Sequence, residues 1–114
     1  MERKTYKELI KEVNRRTEDL FNKMNKSLEN PDDVNLRISV IQDVALNVEG
    51  NFQMMKLVQS IIEDNEKADH LGLFTKLKNV YYLVKINNYY VATNEMIIET
   101  AYEHGFAIRG GKNE

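Results

Sequence analysis

The sequence predicts an all-α protein, an antiparallel bundle of three long helices. Three observations predict it. Apolar residues recur at steps of three and four along most of the chain, which is the helical period. Proline occurs once, at Pro31, and three of the five glycines fall in the last ten residues, so the interior carries few helix breakers. The polar stretches between the periodic segments are short, which makes successive helices antiparallel neighbours.

The central segment, residues 32–64, carries the widest apolar surface. One row runs through Ile38, Ile41, Ala45, Val48, Phe52, Met55, Val58 and Ile62. A second holds Val34, Leu36, Val40, Val44, Met54, Leu57 and Ile61. So broad a stripe calls for neighbours on more than one side. Gly50 lies inside the segment, yet Val48 to Phe52 keeps the rhythm, so one helix is expected. Gly50 then marks a bend, a close helix contact or a hinge.

The first segment, residues 4–29, is amphipathic. Tyr6, Ile10, Val13, Thr17, Leu20, Met24 and Leu28 line one face, with Leu9 and Phe21 beside them. Thr5 and Glu8 have capping-box spacing, and Asp19 and Lys23 are placed to pair at i,i+4. The segment ends at Asn30-Pro31, since a residue before proline is disfavoured in helical conformation. Asp32 or Asp33 is placed to cap the next helix.

The third segment, from residue 71 to Gly105, admits two readings. Leu73, Leu77, Val80, Val84, Val91, Ile98 and Ala101 keep helical spacing if Asn87 and Asn94 fill the seam. This predicts a helix, unbroken or divided near Asn87-Asn88 or Thr93-Asn94. The alternative is an α+β fold with a small hairpin at 79–93, because that stretch is rich in β-branched and aromatic residues and Asn87-Asn88 suits a two-residue turn. Gly105 is the expected helix stop. Residues 1–109 are expected to form one domain and residues 110–114 a disordered tail.

Composition excludes several functions. The chain has no cysteine, which removes disulfides, thiolate catalysis and thiolate metal sites. Net charge is −2, so no overall field draws it to nucleic acid or anionic lipid. No apolar run approaches the ~20 residues of a membrane span. A cytoplasmic protein is the simplest reading. The Asn-, Lys-, Ile- and Glu-rich composition suits an AT-rich genome, such as that of a low-GC bacterium, its phages or mobile elements.

Charge is unevenly divided. Residues 1–28 carry eight basic and five acidic groups; residues 29–69 carry three and nine; residues 70–94 carry three lysines and no acid. An acidic central helix between two basic ones favours antiparallel packing, within one chain or across a dimer. Exposed pairs contribute only ~0–1 kcal/mol each, so charge selects the pairing without supplying most of its stability.

Catalytic constellations are missing from the sequence. Ser27, Ser39 and Ser60 stand in no nucleophile-elbow motif, and Gly110-Gly111 has no strand before it and no helix after it. His70 with Glu66 and Asp69 offers metal-type ligands, but two ligands on one helical turn are common by chance and no second His-carboxylate set reinforces them, so the stretch reads as a solvated connection. His104 suits the dipole at a helix end. No enzyme activity, cofactor or metal is therefore expected. Glu95, Glu99 and Glu103 form an acidic ridge that would repel phosphates, so the segment is rejected as a DNA-reading helix. Met24, Met54, Met55 and Met96 read as core filler.

The stretch KLKNVYYLVKINNYY is the candidate partner-binding segment. Lys76, Lys78 and Lys85 interleave with Tyr81, Tyr82, Tyr89 and Tyr90. Tyrosine is a frequent anchor at protein interfaces. Positive charge with stacking surfaces is also the mix of single-strand nucleic-acid binders, though three lysines are few for phosphate-driven affinity. Plain core packing is the third reading. A helix of ~33 residues is ~50 Å long, too long for a compact globule with a radius of gyration of ~13 Å. A homodimer through the central and third helices is expected. Function is expected to be non-enzymatic protein binding of a regulatory, inhibitory or immunity type. The alternatives are a single-stranded nucleic-acid accessory protein and a phage assembly or chaperone component.

Overall fold

A computed structural model describes residues 3–108. Three helices account for nearly all of them: α1, Arg3–Glu29; α2, Val34–Lys67; and α3, Leu73–Glu103. Among the described residues there is no strand, so the hairpin alternative at 79–93 does not form. Nor is α3 divided at Asn87-Asn88 or Thr93-Asn94. The reason is packing. Leu83, Ile86, Tyr90, Ile97 and Ala101 fall on one helical face and are all buried, which outweighs the modest strand preference of the residues between them. Thr93 and Asn94 are buried within the helix and cap nothing.

The helix ends follow local chemistry. Asp33 is the N-cap of α2, its side chain accepting from the Leu36 N–H at 3.0 Å. At the other end of the chain, Gly105 has φ +79°, a conformation that favours glycine. Its N–H donates to Tyr102 O, and the Phe106 N–H donates to Ala101 O at 2.7 Å. This is a Schellman stop. It turns Phe106 back into the core, where it is 2% exposed. The α1 helix is already formed at Arg3, so Thr5 lies inside it and the Thr5–Glu8 capping box is not used. Gly50 makes no close helix contact: a Cβ there would meet nothing within 4 Å, and α2 passes through it unbroken. The tail expected at 110–114 lies outside the described residues.

Two apolar clusters hold the helices together. Leu20, Met24, Val40, Val44, Ile97, Ala101 and Phe106 form one. Val13, Val58, Leu83, Ile86 and Tyr90 form the other. The predicted stripe of α1 is the buried one, except that Leu28 is exposed and Ser27 takes the inward position. Between α1 and α2, Lys23 pairs with Asp43 at 2.6 Å and also donates to Ser39. It does not pair with Asp19, which instead meets Arg15 at 3.3 Å. Asparagines fasten α2 to α3. Asn51 donates to Asn94 Oδ1 at 2.8 Å, and Asn94 donates on to Val48 O at 3.2 Å. Asn79 donates to Asn65 Oδ1 at 2.9 Å. Each bond satisfies a polar group withdrawn from water, and each sets the register of one helix on the other.

The whole is elongated and flat. Its extents are 59 × 33 × 17 Å, and its radius of gyration is 17.5 Å, against ~13 Å for a compact domain of this size. No described helix is long and apolar enough to cross a membrane.

Candidate functional site

The helix contacts fix which way each face points. Seen down α2, the side toward α1 is marked by Ser39 and Asp43, which meet Lys23. The side toward α3 is marked by Asn51, which meets Asn94. At ~100° per residue, Ile38, Ile41, Ala45 and Phe52 lie beyond the α3 side, turned away from α1. On α3 the side toward α1 is marked by Tyr82 and Tyr89, which meet Tyr6 and Asn14. The side toward α2 is marked by Asn79 and Asn94. Leu73, Leu77, Val84, Val91 and Ile98 lie beyond the α2 side, again away from α1.

The two rows therefore border the α2/α3 groove on the same side, opposite α1. Together they make one apolar face that no described part of the chain covers. Ile38 is 47% exposed, Phe52 44%, Leu77 57% and Val84 43%. The spacing is regular. Val34, Ile38, Ile41, Ala45, Val48, Phe52 and Met55 advance by alternating steps of four and three. So do Leu73, Leu77, Val80, Val84, Asn87, Val91, Asn94, Ile98 and Ala101. That is the heptad spacing of helices that pack against further helices. The repeat of 3.5 drifts against the 3.6 of the helix, so each row begins exposed and winds inward, Val48 and Met55 being half-buried.

One polar residue interrupts the α3 row at its middle. Asn87 is half-buried, and its Oδ1 is shielded from solvent with no hydrogen-bond partner among the described residues. Its neighbours Asn79 and Asn94 bond across to α2. A charged margin runs along α3 between the apolar row and α1. Its first half is basic, with Lys78 and Lys85; its second half is acidic, with Glu95, Glu99 and Glu103.

The lysines and tyrosines singled out in the sequence do not share one surface. Tyr90 is 1% exposed and belongs to the core, so it offers no ring to a partner. Burial pushes its phenol above the usual value, against the opposing charge of Arg16. Tyr89 donates its hydroxyl to Asn14 on α1. Lys76 donates to Glu66 O at 3.3 Å, near the end of α2. Lys78 is exposed. Tyr81, Tyr82 and Lys85 do come together, with Tyr6 of α1. The Tyr82 ring lies 5.5 Å from Tyr6 and 5.2 Å from Tyr81. The Lys85 ammonium sits 5.1 Å from the centre of the Tyr6 ring and 5.2 Å from that of Tyr81. It is held above its ordinary pKa by the Tyr81 hydroxyl first, then by the phenolic groups of Tyr6 and Tyr81. Arg3 and Lys7 complete an open cleft of about 230 Å³. Sequence reasoning missed Arg3, Tyr6 and Lys7 because their contribution depends on which helix α1 lies against.

Glu66, Asp69 and His70 are exposed at the α2–α3 connection. Among the described residues no three His, Cys, Asp or Glu side chains are grouped to hold a metal. His104 is the C-cap of α3, its backbone N–H donating to Thr100 O. Comparison with protein-family models, with curated proteins and with solved structures returns no match.

Proposed function

We propose that this chain is a non-enzymatic protein-binding module whose working surface is the uncovered α2/α3 face. The observation that carries the reading is the pair of heptad-spaced apolar rows opposite α1. Contiguous apolar patches of this kind are uncommon on monomeric proteins and mark sites of association. The rows lie on long helices held in register by buried asparagines, so the surface is preformed. Binding to it loses little conformational entropy. A regulatory or inhibitory action follows naturally from occupying a helical surface, and the AT-rich composition favours a phage or mobile-element source.

Sedimentation equilibrium combined with binding of a hydrophobic dye tests the reading. The face is expected either to be covered, giving a mass above 13.4 kDa, or to bind dye in the monomer. Val84→Glu is expected to remove whichever signal is present while circular dichroism stays helical. A monomer that binds no dye contradicts the proposal.

The cleft between α1 and α3 supports a second reading. Arg3, Lys7 and Lys85 surround Tyr6, Tyr81 and Tyr82, a basic and aromatic combination suited to single-stranded nucleic acid. Salt-sensitive binding of an oligonucleotide that Lys85→Glu weakens is the expected sign. No binding at low salt ends this reading and leaves the first untouched.

A further inference from the structure

We infer that the occupant of the α2/α3 face is a second copy of this chain, docked about a two-fold axis with its α3 antiparallel to the first and the two Asn87 side chains beside the axis. The inference rests on the reading of that face as a docking surface, and it names the partner.

Charge selects the orientation. Along the margin of α3, exposed Lys78 precedes Glu95, Glu99 and Glu103, while the Lys85 ammonium leans toward Tyr6 of α1. A parallel mate would set lysine against lysine and glutamate against glutamate. An antiparallel mate sets each basic half against an acidic half at both ends at once, as a self-complementary two-fold contact requires.

Asn87 selects the register. It stands near the middle of α3, so in an antiparallel pairing that overlaps the two helices fully it approaches its own mate. Its Oδ1 has no partner among the described residues. A turn about χ2 presents that oxygen to the other copy, and two amides can then donate to each other reciprocally. A single asparagine in an apolar seam is a known way to fix register at some expense of stability.

Area is consistent with this occupant. The chain exposes 7998 Å², whereas a compact monomer of its mass exposes ~6,500 Å². The excess is on the order of 10³ Å² per copy, the scale that one protomer covers in a stable homodimer. With the rows facing inward, α2 and α3 of both copies form a four-helix core, and each α1 lies on the outside.

Distances between spin labels test the arrangement, and the chain's lack of cysteine makes single labels unambiguous. Asn88→Cys and Lys78→Cys are both at exposed positions on α3. The expected mass is twice 13.4 kDa. Labels at residue 88 are expected within ~20 Å of each other, and those at 78 farther apart by up to ~30 Å, from ten residues at 1.5 Å on each helix. Asn87→Val is expected to keep the dimer but add a second distance population, because the register is no longer fixed. Equal distances at the two sites overturn the antiparallel arrangement. A monomer that binds dye overturns the second copy as occupant while leaving the docking face. A monomer that binds none overturns both.

Discussion

The two sides of the α2/α3 layer both carry branched apolar side chains and differ in what covers them. Ile97 is 0% exposed and Ile98 42%; Leu83 is 1% and Val84 43%; Val40 is 0% and Ile41 41%. Neighbours in sequence, alike in chemistry, face two different surroundings. The side toward α1 is closed within the chain and carries the fold. The opposite side is exposed in the lone chain, and it is the side we propose for association. The comparison teaches that a long helix can bury one apolar stripe within its own chain and leave a second one open.

Truncation at neighbouring positions breaks or sharpens this contrast most strongly. Leu83→Ala is expected to cost ~2–5 kcal/mol of folding stability, since it opens a cavity in the core. Val84→Ala, one residue on, is expected to change unfolding of dilute protein by well under half of that and to weaken association instead. Urea titrations at nanomolar and at tens of micromolar protein separate the two effects. Equal losses for the two variants at nanomolar protein would erase the distinction between the sides.

The asparagines offer a smaller contrast. Asn94→Ala leaves the buried Asn51 amide without its 2.8 Å acceptor, so a loss of ~1–3 kcal/mol is expected. Asn87→Ala removes an oxygen that has no partner among the described residues, so the monomer is expected to lose little or gain slightly. The glycines come next. Gly105→Ala forces a Cβ onto φ +79° and to 3.2 Å from the Arg37 guanidinium, for an expected loss of ~1 kcal/mol. Gly50→Ala meets open space and is expected to stabilise α2 by up to ~1 kcal/mol. Thermal melts read both signs.

The smallest effect is alkaline. The folded phenol of Tyr90 titrates above 10.0, so the unfolded chain releases that proton first as pH rises. Stability is full below pH about 10 and falls above it. Tyr90→Phe is expected to flatten that decline. Denaturant midpoints between pH 8 and 11 provide the measurement.

Much of the fold was legible in the sequence because it follows from local rules. The helical period, the Asn30-Pro31 break, the Asp33 cap and the Gly105 stop each depend on a few adjacent residues. What the sequence did not reveal depends on which helix lies against which. The row through Ile38, Ile41 and Phe52 looked like the chief packing face of α2, yet it is the uncovered one. Burial falls instead on Val40, Val44, Asn51, Val58 and Asn65. Two of these are asparagines, whose inward placement carries no apolar signal. Tyr90 shows the same limit at the candidate site, since a tyrosine in a lysine-rich stretch reads alike whether its ring is core or surface. Phe106 was missed because it follows the helix stop, where periodicity ends.

Thiol reactivity tests the central claim most directly. A single cysteine replacing Ala45 lies on the face opposite α1, and one replacing Asn22 lies on the exposed side of α1. With a maleimide reagent, the cysteine at 45 is expected to react as fast as that at 22 in nanomolar protein and to become protected at tens of micromolar. Equal reactivity of the two positions at every concentration would contradict the account.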